Sequence, residues 1–279
     1  GAPVIAENPY ENIRQALVLG FRDFTTKIAL NRAHFGLSGG IDSAVVACLA
    51  CEALGPENVT AVGLPGPFNA PESLAWAREL AENLGCRWLE MPIDRIYQQS
   101  VHEIEAVFGE QSFSVMHENL QSRSRALLLM ALANKENSLL VATSNKSELA
   151  MGYSTLYGDM CGGLMPLGDL LKGEVFALAK LYNQSKTLIP PGIIDRPPSA
   201  ELRPNQKDED SLPPYQELDP VVEKFVEGLS PARGALENRV LKSLMHSEFK
   251  RWQAPPILKV SDHAFGRGRR FPIAHTARV

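Results

Sequence analysis

The chain has 279 residues, 44% of them hydrophobic, and a formal net charge of −4. That length suits one large α/β domain or two small ones, and the charge gives no general footing for nucleic-acid or membrane binding. No apolar run approaches a membrane span and no secretory leader is visible, so a cytoplasmic protein is expected.

Asn8-Pro9 reads as an N-cap with proline in the first turn. Over residues 10–29 the apolar side chains Ile13, Leu17, Phe21, Phe24 and Ile28 recur at helical spacing. Ala33-His34-Phe35 then reads as a short buried strand, and an apolar helix runs from Ala44 to Leu54, closed by Gly55-Pro56. Between them lies Gly36-Leu37-Ser38-Gly39-Gly40-Ile41-Asp42-Ser43. Paired glycines at a strand-to-helix turn permit positive φ and close approach of a ligand. The free N–H groups and dipole of the following helix make an anion site, and phosphate or pyrophosphate is its natural guest. No Lys-Ser or Lys-Thr follows, so this is not a Walker A loop, and the glycine spacing is not that of the dinucleotide fingerprint.

A second strand is expected over residues 59–64, a loop over 65–69, and a helix from Pro71 to Leu84 stopped by Gly85. A third strand follows over 87–91 and a third helix over 93–107. This βαβαβα order argues for a doubly wound parallel sheet with helices on both faces, which places ligands beyond the strand C-termini. Residues 109–115 read as a polar loop and 117–134 as a long helix, with Asn119, Arg123 and Ser124 close together and Arg125 on another face. A fourth strand is expected over 138–143, then a short helix N-capped by Ser144. Glu148 on that helix is either a capping acid or a metal ligand.

Residues 151–164 are glycine-rich and either fold around a ligand or stay flexible. Lys172 opens a helix over 171–183, where a lysine opposes the dipole and calls for an anionic partner. Residues 189–214, rich in proline and charge, read as an extended loop, partly disordered without ligand. Helices return over 215–245, broken near Ser230-Pro231. The tail carries Lys250, Arg251, Lys259, Arg267, Arg269 and Arg270, either solvated or reaching a nucleotide's phosphates. Cys48 and Cys51 read as buried small residues of an apolar helix; the cysteine spacing does not resemble a zinc site, and a reducing compartment fits best.

Ser38-Gly39-Gly40-Ile41-Asp42-Ser43 matches the pyrophosphate loop of the ATP pyrophosphatase (PP-loop) group. With it come Glu118-Asn-Leu-Gln-Ser-Arg123, Thr143-Ser-Asn-Lys-Ser-Glu148, Gly152-Tyr-Ser-Thr-Leu-Tyr-Gly-Asp159, Pro166-Leu-Gly-Asp-Leu-Leu-Lys172, Pro198-Ser-Ala-Glu-Leu202 and Phe249-Lys-Arg251. In this order they cover nearly the whole chain and resemble NAD synthetase, specifically the synthetase domain of the glutamine-dependent form.

The resemblance implies an adenine nucleotide alpha hydrolase-like fold, here one domain over residues 1–279 with a basic tail. It implies a ligase: the carboxylate of nicotinic acid adenine dinucleotide (deamido-NAD) attacks the ATP α-phosphate, pyrophosphate leaves, and ammonia displaces AMP to give NAD. Gly36, Leu37, Ser38, Gly39, Gly40, Ile41, Asp42, Ser43, Thr143, Lys172 and Ser199 would bind ATP, with Asp42 and Lys172 catalytic. Asp42 and Glu148 suit Mg²⁺. Asn119, Arg123, Glu148 and Lys250 would hold deamido-NAD. A homodimer with the dinucleotide near the subunit interface is implied, with no nucleic-acid or membrane partner. Leu156 and Gly163 stand where ammonia-only enzymes carry lysine and aspartate, which fits the glutamine-dependent form. No amidase domain is expected in this chain, so ammonia is the expected donor, free or from a glutaminase domain or subunit. The alternative within the PP-loop group, a tRNA-modifying adenylating enzyme or sulfurtransferase, calls for poised cysteines and a basic RNA surface. A binding module without catalysis would be expected to lack Asp42, Glu148 or Lys172, and all three are present.

Overall fold

The computed structural model describes residues 6–228, 230–266 and 268–271. Helix α1 (Pro9–Lys27) starts as the sequence indicates: Asn8 accepts from the Tyr10 N–H, and proline fills the first turn. Four strands follow in chain order, β1 (Ala33–Gly36), β2 (Val59–Gly63), β3 (Arg87–Glu90) and β4 (Leu139–Leu140), paired in parallel in the order β3-β2-β1-β4. Helices α2 (Ile41–Leu54) and α3 (Pro71–Leu84) carry the chain outward from β1 to β2 to β3. Helices α4 (Asp94–Phe108) and α5 (Val115–Glu136) bring it back to β4, on the other side of β1. The strand order therefore reverses beside β1, where open α/β sheets form their ligand crevice.

Strands β1 and β2 are buried almost throughout, as expected when both faces are covered. The main core packs α1, α2, α3 and α7 (Lys172–Tyr182) on one face, centred on Phe21, Phe35, Leu49 and Leu80. Val62, Leu64, Ile93 and Leu132 form a smaller cluster under α4 and α5 on the other. Cys48 and Cys51 are buried in α2, as expected of small apolar residues. β3 is the edge strand of the sheet, and both of its ends are exposed.

The chain departs from the expectations in four places. β4 is shorter than residues 138–143: beyond Leu140 the chain makes only an isolated parallel bridge, Val141 to Leu164, with the Ala142 N–H donating to the Leu164 carbonyl. Helix α6 (Lys146–Met151) is capped by Asn145 rather than Ser144; the Asn145 side chain accepts from the Glu148 N–H at 3.0 Å. Residues 189–214 are a folded strap, not an extended loop: they include α8 (Pro191–Asp195) and bury Ile189, Ile193 and Leu212. The basic tail is not simply solvated. Arg251 on α11 (Glu248–Arg251) is buried against Glu248, with its guanidinium over Phe265 and Phe271, and Arg269 donates to the Val226 carbonyl at 2.8 Å. Arg267 lies outside the described residues. Helices α9 (Tyr215–Gly228) and α10 (Gly234–His246) break where Ser230-Pro231 indicates, and form a second cluster with α6 around Leu218, Val222, Phe225 and Leu244. Among the described residues no helix is long and apolar enough to cross a membrane.

Candidate active site

The glycine loop leaves β1 at the switch point and is tied to itself. The Ser38 N–H donates to Ser43 Oγ at 3.2 Å, the Gly40 N–H donates to Ser38 Oγ at 3.2 Å, and Ser43 Oγ donates to the Gly40 carbonyl at 2.9 Å. Gly39 has φ +82°, and a Cβ there would lie 2.2 Å from the Ser73 carbonyl oxygen, so glycine is required. No side chain caps the N-terminus of α2, which leaves its first N–H groups to an anion.

The loop forms one wall of a cavity of about 560 Å³. Every residue that the resemblance assigns to ATP, Mg²⁺ or deamido-NAD lines it: Gly36 to Ser43, Asn119, Arg123, Thr143, Glu148, Lys172, Ser199 and Lys250. At its base the Lys172 ammonium donates to Asp42 Oδ2 at 2.5 Å and Glu148 Oε1 at 3.1 Å. These are the anionic partners that a lysine at a helix start requires. Glu148 is no capping acid, since its carboxylate faces this cavity. Asn145 Nδ2 donates to Asp42 Oδ1 at 2.8 Å, fixing the carboxylate's rotation.

Burial pushes the Glu148 carboxyl up; Lys172 opposes the shift, while Asp42 and Asp208 add to it. Burial alone would lower the Lys172 amine, but Asp42 and Glu148 outweigh it and hold the amine above its ordinary range. The ammonium is therefore a fixed positive charge facing an acidic cluster.

Three further groups complete the cluster. Tyr215 places its ring 5.2 Å from Lys172 Nζ and donates its hydroxyl to Asp208 Oδ2 at 2.8 Å. Asp219 accepts from Ser147 Oγ at 2.6 Å and from the Gly173 N–H at 2.8 Å, and Ser147 Oγ in turn accepts from the Lys172 N–H at 3.0 Å. The sequence signal for Asp219 is a carboxylate set among the buried Leu218, Val221 and Val222 of an amphipathic helix.

The opposite wall comes from α5 and from residues 152–159. Asn119 Oδ1 accepts from Thr155 Oγ1 at 2.8 Å, Arg123 Nε donates to the Leu156 carbonyl at 3.1 Å, and Lys250 Nζ donates to the Gly152 and Ser154 carbonyls at 2.7 Å each. Ser199 uses its hydroxyl within the strap, donating to the Gln206 carbonyl at 2.6 Å. The strap is pinned by Glu201, which accepts from Asn69 Nδ2 at 2.8 Å and Ser73 Oγ at 2.7 Å and pairs with Arg196 at 2.7 Å. Arg125, set apart from Arg123 in the sequence, holds the loop after β2 through the Leu64 carbonyl at 3.0 Å and Asn69 Oδ1 at 2.8 Å. Burial brings its guanidinium down to about 10.

A NAD synthase family model matches residues 13–254. The chain belongs to the NAD synthase family. It is 46% identical over 272 residues to a glutamine-dependent NAD(+) synthetase of Synechocystis, covering 95% of this chain and 49% of that protein. Among solved structures, a glutamine-dependent NAD+ synthetase of Acinetobacter baumannii in complex with ADP is 33% identical with a TM-score of 0.68, covering 98% of this chain and 51% of that one. An NMN synthetase of Francisella tularensis is 32% identical with a TM-score of 0.76, covering 88% of this chain and 97% of that one. The chain spans about half the length of the curated relatives it matches. Membership carries the PP-loop fold and places ATP-dependent C–N ligation among the family's activities.

Proposed function

We propose that the chain is a synthetase domain that amidates deamido-NAD to NAD at the expense of ATP, with ammonia as donor and AMP and pyrophosphate as products. The observation that carries this reading is the convergence of an uncapped helix N-terminus, a glycine loop and the Asp42–Lys172–Glu148 cluster on one cavity. Adenylation turns a poor leaving oxygen into a good one. The chain's task is then to align the carboxylate with the α-phosphorus and neutralise charge. The N–H groups of the glycine loop and the Lys172 ammonium bind phosphate oxygens. Thr143 and Ser199 line the ATP side. Asn119, Arg123 and Lys250 orient the dinucleotide from the opposite wall, and the strap shields the adenylate from water.

Asp42 and Glu148 would hold Mg²⁺. Their carboxylates already converge on a single cation, and they are hard oxygen donors. Among the described residues no cluster of three or more His, Cys, Asp or Glu side chains forms a self-contained metal site. Phosphate and water would therefore complete the shell, as is usual for Mg²⁺. When bound, the ion neutralises phosphate charge.

A homodimer with the dinucleotide near the subunit interface and a glutaminase domain or subunit as ammonia source belong to the same reading, as does a cytoplasmic setting. The likeness to an NMN synthetase favours one competitor, the deamidated mononucleotide as acceptor. The test is amide formation at saturating ATP and Mg²⁺, with deamido-NAD or nicotinic acid mononucleotide as acceptor and ammonium or glutamine as donor. NAD from deamido-NAD and ammonium alone is expected. A glutaminase needs an activated nucleophile, yet Cys48 and Cys51 are buried, burial raises the Cys161 thiol, and Cys86, whose thiol the Cys51 hydrogen bond lowers, does not line the cavity. Preference for the mononucleotide would replace the substrate, and no product with either acceptor would overturn the reading.

A further inference from the structure

The two carboxylates assigned to Mg²⁺ already have a cation between them. The Lys172 side chain is 3% exposed, with its ammonium 2.5 Å from Asp42 and 3.1 Å from Glu148. Its backbone cannot move away: the Lys172 N–H is held by Ser147, and the Gly173 N–H by Asp219. The four-carbon stem is flexible, so the ammonium can leave while the helix stays. Mg²⁺ needs oxygens at about 2.0–2.1 Å in near-octahedral order. A lysine ammonium donating to both carboxylates blocks that approach and cancels part of the charge that would attract the ion. A triphosphate on the glycine loop would offer the ammonium new acceptors.

We propose that Lys172 is a placeholder cation, closing the Asp42–Glu148 pair to divalent metal until a nucleoside triphosphate draws its ammonium onto phosphate oxygens. This rests on the reading that ATP occupies the cavity. Metal then binds with the nucleotide and not before it, and the acidic pair is never left without a counter-charge.

The test uses Mn²⁺ as probe, followed by electron paramagnetic resonance on the whole chain. Without nucleotide, the wild type should show no specific site. Lys172→Met should bind Mn²⁺ at least about tenfold more tightly than wild type, and adding Asp42→Asn should abolish that gain. Equal binding by wild type and Lys172→Met, or no gain in a variant that melts cooperatively, would overturn the proposal. Should Lys172→Met fail to fold, the wild type decides. With ¹³C-labelled lysine, Mg²⁺ alone should leave the Lys172 side-chain signal unmoved, and Mg²⁺ with α,β-methylene-ATP should shift it. A shift with Mg²⁺ alone would overturn the placeholder role. Failure of the analogue to bind wild type at all would instead remove the ATP reading.

Discussion

Gly39→Ala tests the geometry of the glycine loop. The residue sits at φ +82°, and an added Cβ would lie 2.2 Å from the Ser73 carbonyl oxygen, 2.8 Å from its carbonyl carbon and 2.9 Å from its Cα. Placing alanine in the left-handed region costs about 1 kcal/mol. Forcing backbone away from backbone costs about 1–3 kcal/mol more, because no rotamer relieves it. The expected loss is about 2–4 kcal/mol. Gly85→Ala is the control: φ is +72°, but nothing lies within 4 Å of its Cβ position, so only the conformational cost of about 1 kcal/mol remains. Urea denaturation followed by circular dichroism gives both values, with unchanged slopes confirming a comparable unfolded state. Ser73 also donates to Glu201, so the displacement should reach the strap and weaken nucleotide binding in Gly39→Ala but not in Gly85→Ala. Equal destabilisation of the two variants would refute the close approach of loop and α3.

Asp42→Asn should lower turnover by about 10²–10³-fold while costing little stability, because Lys172 keeps Glu148 as partner; wild-type turnover in a normally melting variant would rule out the role. Asp219→Asn should reduce kcat by about tenfold with the fold intact, since one of the two donors from Ser147 and Gly173 then meets an amide NH₂; partial recovery in Asp219→Glu and an unchanged circular dichroism spectrum would mark a positioning role, whereas an unchanged kcat would dismiss it. His34 is buried in β1 between the Leu129 carbonyl at 2.9 Å and Ser138 Oγ at 2.8 Å, and burial holds its pKa below the ordinary value. The unfolded chain therefore takes up the proton first as pH falls. Stability should drop below about pH 6.5 by up to about 1.4 kcal/mol per pH unit until the folded ring titrates. Urea melts at several pH values should show this slope in wild type and lose it in His34→Gln; the same slope in both would reject the assignment.

Much of the fold was legible because local chemistry sets its boundaries. Pro71 opens α3 and Gly85, in the left-handed region, closes it; Asn8-Pro9 starts α1. β1 and β2 read as buried runs because helices cover both faces of the sheet. What could not be read locally depends on distant partners. Residues 189–214 have the proline and charge of a disordered loop, yet Ile189 and Ile193 fill the main core, Asp208 receives the Tyr215 hydroxyl, and Glu201 reaches Asn69 and Ser73. Proline here stiffens a strap whose Glu201 anchors, Asn69 and Ser73, lie more than a hundred residues away. Ser144 and Asn145 are both good caps in sequence, and only the hydrogen bond from the Glu148 N–H to Asn145 decides between them.

The site was legible to the same degree and for the same reason. The glycine loop, Asp42, Glu148 and Lys172 carry their chemistry in short motifs, and the switch point beside β1 brings those motifs together. Asn145 and Ser147, which hold Asp42 and Lys172, share the motif of Glu148, but Asp219 carries no motif of its own. Asp219 lies on α9, outside the parallel sheet, and acts through Ser147 on α6 and the first turn of α7. One carboxylate thus links the Ser147 side chain of α6 to the Gly173 N–H of α7, the two helices that present Glu148 and Lys172. The parallel sheet alone places the glycine loop, but the spacing of acid and ammonium opposite that loop is set by the second cluster, formed by α6, α9 and α10. A change in that cluster that leaves the sheet intact should therefore alter turnover before it alters folding, as the Asp219→Asn comparison is designed to measure.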